Sequence, residues 1–311
     1  MSTEMFSPEF EKIVSKEAHL EKVATGFTFT EGPLWNGRDN YLLWTDIIGD
    51  TIWQWKPGGG TSIFMRPSGK ADGMTYNHEG RLIVAGWSSR TVWRMEHDGS
   101  TTTLASHCQG KKLNTPNDIV VKSDGSIYFT DPSNGLRNVA MEGEDIQKYI
   151  DYEAVYRLDL EDSRLTLLLD DMINPNGLCF SPDESLLYIN DTPRRHIRVW
   201  DVEADGTLSN GRLFAELIHD DPGTPDGMKV DVEGNVFCTG PGGVWVTDPQ
   251  GKHLGRFIIP EHCANFAFGG QDLKTLYFTA RTTVYRIELN TSGIPVFPRS
   301  ETTGGNDGLG I

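Results

Sequence analysis

The stretch PNDIVVKSDGSIYFTDP, residues 116–132, is one of six related segments along the chain. Each copy opens on a pair of residues whose second member carries an oxygen-bearing side chain. Each then runs through a polar turn into a short apolar strand. The other copies are TEGPLWNGRDNYLLWTD (30–46), ADGMTYNHEGRLIVAGW (71–87), PNGLCFSPDESLLYIND (175–191), PDGMKVDVEGNVFCTG (225–240) and ANFAFGGQDLKTLYFTA (264–280). A unit that returns six times predicts a repeat architecture.

Two further stretches follow each copy. One is a strand with an aromatic residue near its centre, as in TIWQWKP (51–57) and AVYRLDL (154–160). The other is a fourth apolar stretch. Short strands separated by turn dipeptides such as DG, EG and GG are typical of antiparallel meanders. The openings of the copies lie 41, 45, 59, 50 and 39 residues apart, close to the ~40–50 residues of a propeller blade. We therefore predict an all-β, six-bladed β-propeller, a single domain over 1–311 with blades at about 30–290.

The two ends of the repeat predict how the ring closes. The sixth blade has only a weak fourth strand after TTVYRIELN (282–290), whereas HLEKVATGFTF (19–29) precedes the first blade as an orphan strand. Donating that N-terminal strand to the last blade removes the open sheet edges. We expect a short N-terminal extension before it and a flexible C-terminal tail.

The longest spacing marks an insertion in blade three. Residues 133–154, SNGLRNVAMEGEDIQKYIDYEA, stand where the other blades have a far shorter link. The segment is either a surface decoration or a flap over one end of the central channel. We favour the flap because binding residues concentrate on long loops.

Composition restricts the partners. The formal net charge is −16 and no run of Lys or Arg exceeds two residues, which excludes a phosphate-backbone footprint and predicts no nucleic-acid partner. No stretch resembles a signal peptide or a membrane span, so we expect no membrane partner and a cytoplasmic location. The four cysteines include no CxxC pair and are interpreted as buried small apolar residues. The oligomeric state stays open.

The second residues of the six copies are the candidate site. If the blades surround one axis, these side chains form one ring of carboxylates and amides. Asn-Gly and Asp-Gly are also ordinary turn signals, but each blade already has a hairpin turn seven or eight residues later. Oxygen ligands favour a hard cation, most of all Ca²⁺, and leave Mg²⁺ and Mn²⁺ open, with Zn²⁺ less suited. The ring comprises Glu31, Asp72, Asn117, Asn176, Asp226 and Asn265.

Four motifs in order carry a family resemblance. EGP (31–33), NTPND (114–118), PNG (175–177) and PDGM (225–228) resemble those of the SMP-30/gluconolactonase/LRE-like family of six-bladed propellers. The resemblance covers residues 20–290. It implies hydrolysis of sugar lactones, with relatives that hydrolyse organophosphates on the same scaffold. It also implies one divalent metal, held by the residues that match Glu31, Asn117, Asn176 and Asp226.

The substrate side of the resemblance is incomplete. Animal members carry an arginine two residues before the asparagine that matches Asn117, and here that position is Thr115. Sugar recognition is therefore expected to be rearranged, through Asn114 or the insertion. Trp35 and Trp87 could form walls of the pocket, but packing in the core is the favoured interpretation for each. The residues expected to contact the substrate are Asn114, Asp72, Asp131 and Asn265, although Asp131 and Asp191 also suit a strand-ending Asp that caps a turn.

The predicted activity is metal-dependent opening of a small-molecule lactone. A divalent cation would polarise the carbonyl, and Asp226 would act as general base or orient the attacking water. Zn²⁺ is retained as an alternative ion beside Mg²⁺ and Mn²⁺. Two other functions stay open: a phosphotriester hydrolase at the same site, and a non-catalytic, calcium-stabilised binding module. No G-x-S-x-G elbow occurs, which disfavours a serine hydrolase of that type.

Overall fold

The computed structural model describes residues 2–296 as six antiparallel sheets arranged as propeller blades, which confirms the predicted fold. This part of the chain contains no α-helix and only two short 3₁₀ turns. Consistent with that, it has no helix of the length and apolarity that a membrane span requires. The expected C-terminal tail, residues 297–311, lies outside the described residues.

The strands follow the order of the repeats. The N-terminal segment holds β1 (Thr3–Met5), a 3₁₀ turn (Pro8–Lys12) and β2 (Glu21–Thr25). Blade 1 comprises β3 (Thr30–Asn36), β4 (Tyr41–Asp46), β5 (Thr51–Lys56) and β6 (Gly60–Met65). Blade 2 comprises β7 (Met74–Tyr76), β8 (Leu82–Gly86), β9 (Thr91–Met95) and β10 (Thr101–Ala105), followed by a small hairpin of β11 (His107–Cys108) and β12 (Lys111–Lys112).

The second half of the ring repeats this plan. Blade 3 comprises β13 (Ile119–Val121), β14 (Ile127–Asp131), β15 (Ala154–Asp159) and β16 (Arg164–Leu169), with the second 3₁₀ turn (Asn134–Leu136) in its insertion. Blade 4 comprises β17 (Pro175–Phe180), β18 (Leu186–Asp191), β19 (His196–Val202) and β20 (Leu208–Glu216). Blade 5 comprises β21 (Met228–Val230), β22 (Val236–Gly240), β23 (Gly243–Thr247) and β24 (His253–Ile258), and blade 6 comprises β25 (Cys263–Gly269), β26 (Thr275–Ala280) and β27 (Thr283–Glu288).

Burial falls from the axis of the ring outward. Every residue of β3, β17 and β25 is buried, whereas β10 and β20 expose much of their length. The apolar layers lie between neighbouring blades: Leu43 and Ile52 of blade 1 pack with Val84 of blade 2. Each such side chain contributes about 1.5–3 kcal/mol when fully buried. The ring is therefore stabilised at every joint between blades.

The N-terminal segment closes the ring, as predicted, and also adds a strand to blade 5, which was not predicted. Strand β2 pairs with β27, with Thr25 opposite Thr283, as expected for the donated strand. Strand β1 adds a fifth strand to blade 5 by pairing with β24. Between the two strands, Phe10 is 1% exposed and its ring lies 5.5 Å from that of Phe257. A three-residue strand such as TEM is too short to be recognised without its partner.

Candidate metal and substrate site

The inner strands bring the six predicted residues to one end of the channel. Strands β3, β7, β13, β17, β21 and β25 each contact the next around the ring, and β25 contacts β3. In each blade the predicted residue lies at the start of the inner strand or just before it. We call the six together the hub: Glu31, Asp72, Asn117, Asn176, Asp226 and Asn265.

In four of the six copies a glycine follows the hub residue in sequence, and it lets neighbouring blades approach closely. A Cβ on Gly177 would lie 2.2 Å from the backbone oxygen of Asp226, and one on Gly227 would lie 2.1 Å from Oδ1 of Asn265. The Gly177 N–H donates to that Asp226 oxygen at 3.0 Å. Neither glycine has a positive φ. The Asn-Gly and Asp-Gly pairs of these motifs therefore serve the contact between blades, which turn chemistry alone would not require.

The hub side chains form three carboxylate–amide pairs between adjacent blades. Asn117 Nδ2 donates to Asp72 Oδ2 at 2.8 Å. The amide of Asn176 hydrogen-bonds the carboxylate of Asp226. The amide of Asn265 hydrogen-bonds Glu31, which joins the last blade to the first. Asn117 uses an N–H of its side-chain amide to bind Asp72. The carbonyl oxygen of the same amide therefore remains available to another partner.

Five hub residues line one cavity of about 290 Å³, which we call the hub cavity. Asn265 is not among its lining residues. Glu31 and Asp72 are almost fully buried, and Asp226 retains partial contact with solvent through the cavity. The five are Glu31, Asp72, Asn117, Asn176 and Asp226.

Negative charge accumulates around this cavity. Burial raises the pKa of Glu31 to about 7, against an ordinary value of 4.5. Burial and then the Glu31 charge raise the pKa of Asp72 and of Asp226 well above the usual range. The buried carboxylate of Asp118 adds to the repulsion, and Lys229 Nζ, 3.6 Å from Asp118 Oδ2, brings a single positive charge. When the hub carboxylates are ionised, the charge of Lys229 therefore compensates only part of their negative charge.

These residues fit a hard divalent cation. Glu31, Asn117, Asn176 and Asp226 offer oxygen ligands only, which is the preference of Ca²⁺ and Mg²⁺. Within residues 2–296 no three His, Cys, Asp or Glu side chains are placed to hold an ion by themselves. The two asparagine oxygens are therefore needed to complete such a site. With two carboxylates, the set carries a charge of −2 that a dication would neutralise.

The insertion forms one wall of the hub cavity. Asn134, Asn138, Val139 and Met141 line it beside Phe29, Ile47 and Trp87. Trp87 and Trp35 are both buried, each 3% exposed. Trp35 stacks on Tyr277 at 5.4 Å, and Trp87 in addition forms part of the wall of the hub cavity. The long spacing in blade 3 located this wall, although it did not identify which of its side chains face the cavity.

Side chains of blade 2 and of the link before it hold the insertion in place. Lys70 Nζ donates to the carbonyl oxygens of Ala140 and Glu142, both at 2.8 Å. Arg90, 1% exposed, donates to the carbonyls of Asp145 and Gln147 at 3.0 and 2.9 Å. These bonds keep the segment over the cavity.

Two residues expected at the substrate lie elsewhere. The backbone N–H of Asn114 donates to Asp131 Oδ2 at 2.9 Å, and Asn114 Nδ2 donates to the carbonyls of Asp131 and Tyr152. Both residues are completely buried and neither lines the hub cavity. Burial raises the pKa of Asp131 to about 8. Asp191 likewise accepts the backbone N–H groups of Ile173 and Asn174, so both aspartates cap the segment that leads into an inner strand.

A second cavity, of about 360 Å³, lies at the other end of the inner strands, and we call it the far cavity. Its lining is mostly apolar, and Lys229 and Glu184 add two charged side chains to it. Each blade contributes an apolar residue that follows its hub residue by two to four positions. These are Leu34, Met74, Val120, Phe180, Val230 and Phe268.

Comparison with known proteins gives one family. Residues 29–282 match the family described as the SMP-30/gluconolactonase/LRE-like region. A gluconolactonase of Zymomonas mobilis is 32% identical over 93% of this chain and 86% of its own length. The solved structure of a gluconolactonase of Xanthomonas campestris superposes with a TM-score of 0.86 at 31% identity, covering 93% of this chain and 95% of that one.

A third likeness concerns the fold alone. The structure of a calcium-binding protein, regucalcin, of Agrobacterium tumefaciens superposes with a TM-score of 0.75 at 19% identity. The superposition covers 89% of this chain and 96% of that one.

Proposed function

Because the chain belongs to the SMP-30/gluconolactonase/LRE-like family, it is a lactone hydrolase, and we propose that it opens sugar-type lactones in the hub cavity with the help of one divalent cation. The observation that carries this proposal is the convergence of Glu31, Asn117, Asn176 and Asp226 on one cavity. Similarity to the gluconolactonases of Zymomonas mobilis and Xanthomonas campestris supports the substrate class.

The same four residues would hold the cation. Their oxygen chemistry favours Ca²⁺, and the calcium-binding regucalcin on the same fold supports that choice. When bound, such a cation supplies Lewis acidity, which polarises a lactone carbonyl and favours the ionisation of water. The raised pKa values of Glu31 and Asp226 indicate that the hub gains most from a dication when both carboxylates are ionised.

Asp226 is the residue that we assign to proton transfer. Its carboxylate faces the cavity, keeps contact with solvent and receives one hydrogen bond, from the Asn176 amide. It would accept a proton from the attacking water as that water adds to the carbonyl carbon. The ring C–O bond then breaks, the ring oxygen takes up a proton, and the product is the open hydroxy acid.

Asp72 has a different part. It accepts the Asn117 N–H at 2.8 Å, which fixes the plane of the amide and directs its carbonyl oxygen as a ligand. Partners of this kind orient ligands without binding the ion themselves. The walls formed by Phe29, Ile47 and the insertion enclose the reacting groups and limit the entry of other water.

A hydrolysis panel tests the proposal. Protein stripped with a chelator is assayed with a pH indicator on aldonolactones, alkyl lactones and an aryl phosphotriester, with Ca²⁺, Mg²⁺, Mn²⁺ or Zn²⁺ restored in turn. We expect no turnover without metal, and the fastest turnover on aldonolactones with Ca²⁺. Full activity in the chelated protein would reject the metal role, and turnover of the phosphotriester alone would reject the substrate class.

A further inference from the structure

Two polar atoms in the wall of the hub cavity have no hydrogen-bond partner. They are Nε1 of Trp87 and Oδ1 of Asn134, and each is shielded from solvent. Trp87 is 3% exposed, and both residues line the cavity. Buried polar groups are normally paired, so an unpaired donor and an unpaired acceptor in one wall point to a partner that arrives with a ligand.

The two atoms belong to elements in direct contact. Asn134 precedes Gly135, and a Cβ on Gly135 would lie 2.6 Å from Trp87 Nε1. The 3₁₀ turn of the insertion therefore packs its backbone on the edge of the indole ring. A larger residue in place of Gly135 could not lie there. Asn134, the residue before this contact, therefore lines the same wall of the hub cavity as the indole ring.

The chemistry of the two atoms is complementary to one functional group. An indole N–H only donates and an amide oxygen only accepts. A hydroxyl group does both, so one hydroxyl can accept from Trp87 and donate to Asn134. A cavity of about 290 Å³ lies at the lower end of the ~300–1,000 Å³ range of ligand pockets, which suits a single sugar ring.

The family resemblance leads one to expect a substrate-binding arginine at position 115. The threonine found there offers no group to a substrate hydroxyl. Thr115 is 2% exposed, its hydroxyl donates to the carbonyl oxygen of Pro132 at 2.5 Å, and it does not line the cavity. Recognition of a substrate hydroxyl in this chain therefore needs another source.

We propose that Trp87 and Asn134 together bind one hydroxyl of the substrate, and thereby select polyhydroxylated lactones over alkyl lactones of the same ring size. This inference rests on the proposed function. A site that hydrogen-bonds a substrate hydroxyl discriminates strongly against the analogue that lacks it, because the buried groups of the site are then left unpaired. The enclosed position of both atoms requires the turn at 134–136 to shift as the hydroxyl enters.

The test compares two substrates with six-membered rings, D-glucono-δ-lactone and δ-valerolactone. Trp87→Phe removes the N–H and keeps an aromatic ring. We expect kcat/KM for gluconolactone to fall about tenfold or more and kcat/KM for valerolactone to stay within about twofold. Trp87→Phe also removes the indole edge on which Gly135 packs, so its Tm should fall somewhat, and the ratio of the two kcat/KM values carries the test.

Trp35→Phe is the matched control. Nε1 of Trp35 is also buried and unpaired, but Trp35 lines the far cavity, so its substitution should leave the ratio of the two kcat/KM values unchanged. Asn134→Leu should lower the ratio as Trp87→Phe does. The double variant should lower it little further, because both residues bind the same hydroxyl.

The outcomes separate this inference from the proposed function. Equal losses on both lactones in Trp87→Phe and Asn134→Leu, or a wild type without preference for gluconolactone, would overturn the inference and leave lactone hydrolysis standing. A wild type that hydrolyses neither lactone with any of the four cations would reject the proposed function, and the inference with it.

Discussion

The two ends of the channel are built from the same six strands and differ in almost every property. At one end the strands present carboxylates and amides around about 290 Å³, and at the other they present apolar side chains around about 360 Å³. Size and apolarity alone would direct attention to the far cavity. The raised pKa values of Glu31, Asp72 and Asp226 direct it to the hub. In this propeller, the polar hub residues lie at the start of each inner strand or just before it, and the later residues of that strand present apolar side chains.

The largest effect is expected from Asp226→Asn at the hub end. The amide keeps an oxygen for the cation but cannot accept the proton of water, so kcat should fall about 100-fold or more with saturating metal. Stopped-assay kinetics on an aldonolactone measure this. Asp231→Asn is the control: Asp231 follows the opposite end of β21, is completely buried and accepts hydrogen bonds from Asn235 and Thr291. It should lower stability and leave kcat within about twofold. Near-normal turnover in Asp226→Asn would remove Asp226 from proton transfer.

The next effect is a pH dependence of the free energy of unfolding that arises at the hub end. The folded pKa of Glu31 is about 7 and its ordinary value 4.5, so without metal the folded state binds this proton more tightly than the unfolded state. The resulting stabilisation is complete below about pH 4.5 and is lost as pH rises through about 7. The free energy of unfolding of chelated protein should therefore fall by an amount on the order of a few kcal/mol between pH 5 and pH 8.

Urea unfolding with and without Ca²⁺ measures this dependence. Saturating Ca²⁺ should flatten it, because the cation competes with the proton. Glu31→Gln removes the contribution of Glu31 and lessens those of Asp72 and Asp226, whose pKa values its charge raises. The contribution of the histidines, whose lowered pKa values act in the opposite direction, is retained in both proteins. A chelated wild type and a chelated Glu31→Gln variant with parallel pH profiles would contradict the assignment.

A smaller effect is expected from Asp72, which we propose to orient the ligand Asn117 without binding the cation itself. Asp72→Leu removes the acceptor for Asn117 and should weaken cation affinity by about 10- to 100-fold. Asp72→Asn keeps an acceptor oxygen and should weaken it less. Calorimetric titration of Ca²⁺ gives both dissociation constants. Equal affinities in Asp72→Leu and wild type would show that Asn117 needs no partner.

The smallest effect is expected at the far end. Phe268 packs edge-to-face on Phe237 at 5.2 Å and lines the far cavity. Phe268→Leu should cost about 1 kcal/mol of unfolding free energy and leave kcat/KM unchanged. Thermal unfolding and lactone kinetics on the same preparation test the pair of expectations. A clear fall in kcat/KM of the folded variant would show that the far cavity contributes to catalysis.

The repeat made much of this molecule predictable. Its period located six blades and the donated strand, and the fixed place of the hub residue in each copy located the ring. That ring was accessible to sequence because each inner strand starts at the same point relative to the axis. Pairing within the ring, such as that of Asn117 with Asp72, depends on how closely adjacent blades approach. The glycines that follow several hub residues permit this approach, but their presence in the sequence does not indicate which side chains will pair.

Other features could not be predicted because their partners lie far away in sequence. Asn114 and Asp131 resemble site residues in composition, yet they satisfy backbone N–H and carbonyl groups at the base of the insertion. Asn134 and Trp87 come from different blades, and no spacing in the sequence indicates that they line the same cavity. Lys229 reads as an ordinary strand residue until its ammonium group is found next to Asp118.

The closing of the ring by β2 and β27 sets an order of events in folding. Residues 21–25 are synthesised well before residues 283–288, with which they pair, and contacts of such sequence separation form late and slowly. Glu31 meets Asn265 across the same joint. A nascent or truncated chain that lacks blade 6 also lacks Asn265, the hydrogen-bond partner of Glu31. We therefore expect tight cation binding only after the whole ring has been assembled.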